Sequence, residues 1–215
     1  MAAAALASDR EPSSVTLIGV SKTRPAVDVI AAAEAGLTDF GENYVLDAVP
    51  KIAACGDAGS QRTLTWHYIG AIQSNKTRLI AQNFSWVHTV TREKIARRLS
   101  EQVPEGRVLN VCLQVNVDED PNKGGVSVAA AGPLLQQVVG LPGLNVRGLM
   151  TILDQRSRPF ERYAELAALF ERMAGQAGPD WDTLSMGMSN DYGAAIRAGA
   201  THVRIGTAIF GERLY

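Results

Sequence analysis

A chain of 215 residues has room for one domain or two small ones. It is 46% hydrophobic and 20% charged, which supports a substantial core and excludes a disordered chain. With 21 Lys plus Arg against 22 Asp plus Glu the net charge is -1, so no basic surplus marks a nucleic-acid partner, and no apolar stretch approaches the roughly eighteen residues a membrane span needs.

The opening Met1–Ala7 lacks the charged and apolar regions of a signal peptide, and residues 1–14 read as a short Ala-rich segment ahead of a single domain, 15–215. Val15 to Ser21 reads as a buried strand ending at Lys22. Pro25 then opens a helix, Ala26 to Ala35, which Gly36 closes. Thr38 to Gly41 is a short strand before a helix starting near Tyr44. Thr65 to Gly70 is a third strand, with a helix from about Ser74 to Asn83. Trp86 to Val90 is a fourth, followed by the helix Arg92 to Val103, whose interspersed glutamates make it a solvated face. Val108 to Val117 is the clearest strand and Val126 to Gly140 its helix. Val146 to Ile152, Thr183 to Met188 and His202 to Ile205 complete the strands. Their helices are Phe160 to Ala174, Asp191 to Ala198 and a last turn, Ala208 to Phe210.

Eight strand-then-helix units imply parallel sheet, and near-continuous apolar strands imply burial on both faces. Eight is the number that closes a (β/α)₈ barrel. A doubly wound open sheet is the competitor, weakened because no GxGxxG follows the first strand and no GxxxxGK[ST] occurs anywhere. The expected class is α/β, a single (β/α)₈ barrel.

Barrel chemistry sits at the C-terminal strand ends. There the sequence places Lys22, then Glu42-Asn43, Gln73-Ser74-Asn75, Asn116, Thr151, Ser189-Asn190 and Arg204 to Thr207. A buried strand-end lysine has its amine pKa depressed and is prepared for a Schiff base; the alternative is a lysine whose head simply reaches water. Ser189 and the pair Gly206-Thr207 open helices after strands seven and eight, where barrels often bind phosphate, although N-capping accounts for the same residues. Arg204 faces either the barrel mouth or an acidic partner. Asn43 is either a ligand contact or the cap of the helix starting at Tyr44, and Ser74 or Asn75 reads as a cap.

Cys55 and Cys112 fit no metal spacing and no disulfide framework, and Cys112 reads as core. His67, His88 and His202 lie on different strands, with no HxH or HExxH, and read as hydrogen-bonded structural residues rather than metal ligands. Met186 and Met188 read as barrel packing. A strand-end lysine, two phosphate-compatible turns and an inward arginine together describe a pocket for pyridoxal 5′-phosphate (PLP), one partner each for its aldehyde, phosphate and ring nitrogen.

Seven stretches carry a family resemblance: Val20-Ser21-Lys22-Thr23, Phe40-Gly41-Glu42-Asn43-Tyr44, Trp66-His67-Tyr68-Ile69-Gly70, Gln73-Ser74-Asn75-Lys76, Arg147-Gly148-Leu149-Met150, Leu184 to Ser189, and Val203 to Gly211. In this order they resemble the pyridoxal phosphate homeostasis protein family, whose barrel is like the N-terminal barrel of alanine racemase. The resemblance implies that Lys22 holds PLP as an internal aldimine and that Ser189, Gly206 and Thr207 bind its phosphate. It also implies that Arg204 faces the ring nitrogen and that Asn43 contacts the ring or its hydroxyl. The family is regarded as a non-catalytic carrier or buffer of the cofactor, with apo PLP-dependent enzymes as recipients. From its cysteine usage, charge balance and lack of a signal, span or apolar stripe, the expected protein is cytoplasmic and monomeric, without nucleic-acid or membrane partners.

Three departures stand out. Only residues 1–14 precede Val15 where the family usually has a helix, so either the start is truncated or the barrel bottom is covered differently. Ala71 replaces a common proline, and Tyr192-Gly193 departs from a bulkier, acidic pattern. Two rivals use the same lysine: a PLP-dependent amino-acid racemase, and a Schiff-base aldolase without the cofactor.

Overall fold

The computed structural model describes residues 1–57, 63–154 and 158–212; residues 213–215, the end of the predicted domain, lie outside that range. Eight parallel strands close into a barrel in sequence order, with β1 paired to both β2 and β8. They are β1 (Thr16–Val20), β2 (Asp39–Glu42), β3 (Thr65–Tyr68), β4 (Trp86–Val90), β5 (Leu109–Gln114), β6 (Leu144–Met150), β7 (Thr183–Met188) and β8 (His202–Ile205). In chain order the helices are α1 (Ala2–Leu6), α2 (Ala26–Glu34), α3 (Val45–Asp57), α4 (Thr77–Asn83), α5 (Glu93–Ser100), α6 (Val128–Val138), α7 (Pro159–Met173), α8 (Tyr192–Arg197) and α9 (Thr207–Phe210). The closed order rules out the open sheet.

Local chemistry accounts for the boundaries. Pro25, with its fixed φ and no N–H, caps α2 at its start, and Gly36, at φ +106°, stops it. Ser127 caps α6 by accepting a hydrogen bond from the Ala130 N–H. The helix α4 departs from expectation. It begins at Thr77 with Lys76 at its cap position and no side-chain capping bond, so neither Ser74 nor Asn75 caps it. The segment before β1 packs on the barrel: Ala5 of α1 is fully buried, and the Arg10 guanidinium donates to the carbonyls of Ile196 and Ala200.

The strands are buried on both faces, as expected, but the two faces differ in chemistry. Outward residues such as Val111, Leu113, Leu184, Met186, Val203 and Ile205 join the main apolar core beneath the helices. The inward alternates are largely polar: Asp39, His67, His88, Asn110, Ser185, His202 and Arg204. Among the described residues Trp86, Cys112 and Met150 form a small apolar cluster inside, with Ile152 packed against it. Toward the N-terminal end the Arg147 guanidinium lies 4.8 Å from the Trp86 ring centre and pairs with Asp182. Cys112 is fully buried, as expected, and burial pushes its thiol pKa upward.

Candidate functional site

Alternation decides which strand-end residues reach the barrel mouth, because every second side chain points inward. On β1 and beyond it Thr16, Ile18, Val20 and Lys22 share one face; from β8 onward His202, Arg204 and Gly206 do. These inward sets converge. Lys22, Asn43, Ser189, Arg204, Gly206 and Thr207 all line one pocket of about 220 Å³, and Val20, Ile69, Ile152 and Phe210 supply apolar wall. That volume lies below the roughly 300–1,000 Å³ of drug-sized ligand sites, so it suits a single-ring occupant. Two larger concavities, of about 850 and 1030 Å³, lie elsewhere, one between Asp118–Asn122 and the start of α7, the other between β1 and α2. Neither collects the predicted strand-end residues.

Lys22 leaves β1 at an abrupt turn. Thr23 has φ +65°, a left-handed conformation unusual for a β-branched residue, and its hydroxyl donates to the Lys22 carbonyl at 2.6 Å. Just behind, Ser21 is braced from outside the barrel. Its hydroxyl donates to Glu42 Oε1 at 2.7 Å, and Lys51 of α3 donates to the Ser21 carbonyl at 2.7 Å and pairs with the same Glu42 oxygen. Glu42 is fully buried and Lys51 is 7% exposed, so a dry ion pair anchors the residue preceding Lys22. Glu42 therefore faces the helix layer and is not a pocket residue, although it ends β2. Lys51, inside an ordinary amphipathic helix, carried no sequence signal.

Asn43 lines the pocket and does not cap α3. Its Oδ1 is buried without a hydrogen-bond partner, so it does not act as the acceptor an N-cap requires. The backbone beside it is locked by Gly70, where a Cβ would stand 2.1 Å from the Asn43 carbonyl oxygen.

Arg204 faces the mouth without an acidic partner among the described residues. It is 4% exposed, donating from Nη1 to Ser185 Oγ at 2.8 Å and from Nη2 to the Thr151 carbonyl at 2.8 Å. Burial lowers its pKa from the usual arginine value, with Tyr163 and Asp191 pulling it back up. Beneath it the histidines form a cluster: His88 Nδ1 lies 2.8 Å from Ser185 Oγ, His88 Nε2 2.9 Å from His67 Nδ1, and His67 Nε2 3.0 Å from Asp39 Oδ1. Burial drives His67 below its ordinary pKa, partly offset by Asp39, and His88 much further, helped by the charges of His67, His202 and Arg204. The third, His202, is pushed down to about 4 by burial. All three rings are hydrogen-bonded, as expected; that they meet on one axis was not legible from strands so far apart in sequence.

Two turns form the far end of the pocket. Ser189 lies in the turn before α8, whose cap position is Asp191; the Asp191 carboxylate accepts from the Met188 N–H at 2.6 Å. Ser189 thus does not cap the helix. Gly206 stands at the cap position of α9, and Thr207 is its exposed first residue. First-turn N–H groups have no intrahelical acceptors, and an anion satisfies them. Met188, expected as packing, lines the pocket. Chemically the pocket offers a primary amine, a guanidinium, a buried amide oxygen, two hydroxyls and helix-start N–H groups. That set suits a carbonyl compound carrying an anionic group.

The profile of the family described as "Alanine racemase, N-terminal domain" matches residues 5–214. A curated relative from Pseudomonas aeruginosa, named pyridoxal phosphate homeostasis protein, is 51% identical over 213 residues, covering 99% of this chain and 90% of its own. Among solved structures, PipY of Synechococcus elongatus with PLP bound is 37% identical with a TM-score of 0.84, covering 97% of this chain and 98% of that one. Alanine racemase from Corynebacterium glutamicum, 18% identical with a TM-score of 0.65, shares the fold over 93% of this chain and 56% of its own.

Proposed function

From the premise that this chain belongs to the alanine racemase N-terminal domain family, we propose that it is a PLP-binding protein of intracellular PLP homeostasis, a carrier or buffer of the cofactor without turnover. The carrying observation is the convergence of Lys22, Arg204, Ser189, Gly206 and Thr207 on one small pocket.

The residues fit the group. Lys22 Nζ would hold the aldehyde carbon, while the Ser189 and Thr207 hydroxyls and the backbone at Gly206 would hold the phosphate. The Asn43 amide, whose buried Oδ1 lacks a partner, would meet the ring hydroxyl. Arg204 would face the ring nitrogen. When bound, the cofactor supplies an electrophilic carbon and an electron-withdrawing ring. A guanidinium beside the ring nitrogen disfavours its protonation and makes the ring a poorer electron sink. Racemisation needs an acid or base on each face of the substrate carbon. Lys22 serves one face; neither Tyr44 nor Tyr192 is among the described residues lining the pocket. These features support binding without turnover.

In this reading the binding unit is the barrel, 15–215, the recipients are apo PLP-dependent enzymes, and the protein works in the cytoplasm. Among the described residues no helix is long and apolar enough to cross a membrane. The exposed large apolar residues, including Leu6, Val27, Tyr44, Val108 and Phe160, are spread over several elements, which supports a monomer.

The test is an absorbance spectrum of wild type and Lys22→Ala, each mixed with PLP and desalted. A visible band retained by wild type and lost in the variant is expected. No retained band in wild type overturns the reading. Chiral chromatography of alanine and serine incubated with loaded protein checks turnover; racemisation abolished by Lys22→Ala would replace the carrier with a racemase.

A further inference from the structure

We propose that Asp39, His67, His88 and Ser185 are positioning residues, forming one oriented hydrogen-bond relay along the barrel axis that holds the Arg204 guanidinium at the ring end of the pocket. The relay stands on geometry; its bearing on the cofactor rests on the reading that Arg204 faces the ring nitrogen.

Every link has a single permitted direction. Asp39 sits at the foot. Burial raises its carboxyl pKa, but hydrogen bonds from His67 and Thr38 outweigh this and leave it lowered, so it is an ionised, acceptor-only group. His67 Nε2 must therefore carry the proton that spans 3.0 Å to Asp39 Oδ1. Both His67 and His88 are fully buried, and burial favours their neutral rings. A neutral His67 protonated at Nε2 presents a lone pair at Nδ1, so His88 Nε2–H donates across 2.9 Å. His88 Nδ1 is then an acceptor and takes the Ser185 hydroxyl proton over 2.8 Å.

The top end is compatible with the same answer. Arg204 has donors only, so Ser185 Oγ accepts from Nη1 at 2.8 Å, and its own proton can turn to His88. The carboxylate at the foot therefore sets the polarity, with a cation at the mouth and aligned dipoles between. The second guanidinium nitrogen donates to the Thr151 carbonyl at 2.8 Å, which fixes the plane. His202 stands beside the relay with its Nδ1 3.0 Å from Thr201 Oγ1 and its ring centre 6.1 Å from that of His88; it is not a link.

Asp39→Asn removes the constraint at the foot, because an amide can donate as well as accept. The polarity can then reverse, with protons on His67 Nδ1 and His88 Nδ1 and Ser185 Oγ accepting from both sides. The test is ¹⁵N NMR of histidine and arginine side chains in the full, cofactor-free chain, with His202 assigned by its own substitution. Wild type is expected to show both His67 and His88 as neutral Nε2–H tautomers and slow rotation of the Arg204 guanidinium. Asp39→Asn gives mixed or reversed tautomers, and Ser185→Ala speeds the guanidinium rotation. Once PLP is added, Ser185→Ala shifts the absorbance band and weakens binding by on the order of threefold to tenfold, the loss of one net hydrogen bond to Arg204, and Asp39→Asn acts in the same direction by less.

An Nδ1–H tautomer in either wild-type ring overturns the relay, as do histidine signals unmoved in Asp39→Asn. Moved signals with an unchanged band and affinity overturn the positioning role and leave the Lys22 anchor standing. A wild type that takes up no PLP overturns the reading of the pocket, while the signals of the cofactor-free chain still decide the relay.

Discussion

The barrel wall separates two buried polar assemblies that handle charge in opposite ways. Inside, a guanidinium and a carboxylate stand at the two ends of a chain of neutral imidazoles and a hydroxyl, and each link has a partner. Outside, under α3, Glu42 and Lys51 place two charges in direct contact in a dry site, and Glu42 Oε2 is left without a partner among the described residues. The inner assembly spreads its charge along hydrogen bonds that orient Arg204. The outer one concentrates it to brace Ser21, one residue from Lys22. A contact pair of this kind is costly to break because removing either partner strands a buried ion.

The largest effect is expected outside. Lys51→Met leaves the Glu42 carboxylate buried and unpaired, and should lower unfolding free energy by about 3–5 kcal/mol in urea titrations. A loss below about 1 kcal/mol would erase the contrast between the two assemblies.

Acid is expected to act first on the inner assembly. The histidine pKa values are lower in the folded than in the unfolded state, so below pH ~6.5 the unfolded chain binds protons that the folded chain refuses. Stability should fall with falling pH, and for His202, depressed to about 4, the loss between pH ~6.5 and ~4 reaches on the order of 3 kcal/mol. Urea titrations at stepped pH measure the slope, and His202→Gln should flatten it. A slope unchanged by that substitution assigns the acid sensitivity to other groups.

Gly70→Ala gives an intermediate effect. Its Cβ would stand 2.1 Å from the Asn43 carbonyl oxygen, so backbone must move, at a cost of about 1–3 kcal/mol with weakened PLP binding. Gly206→Ala should be the smallest in stability. Its Cβ would come no nearer than 3.4 Å to Val20, at an ordinary φ of -111°, so melting should change by no more than about 0.5 kcal/mol. PLP affinity should still drop, because the bare backbone there serves the pocket rather than the packing. An unchanged affinity would remove Gly206 from the site.

Much of the fold was legible because each strand and helix carries its own local signal. β4, β7 and β8 begin and end where the apolar runs do, and Pro25 and Gly36 bracket α2 to within a residue. The misses have physical causes. Ser74, Asn75 and Asn43 have the right chemistry for caps, yet capping depends on where the first helical turn closes, and α4 closes later while Asn43 Oδ1 has no hydrogen-bond partner among the described residues. Lys51 looked like any residue on a helix, since nothing local announces a partner nine residues away across a packed layer.

Strand count, alternation and the strand-end positions of Lys22, Arg204 and Gly206 follow from the sequence alone, because backbone geometry imposes the period of two wherever a strand forms. Closure of the barrel, the convergence of the site residues from four strand ends and the direction of each proton in the relay were decided only by tertiary structure. Those properties belong to contacts between residues as much as 186 positions apart, such as Thr16 and His202, and no local preference can specify them.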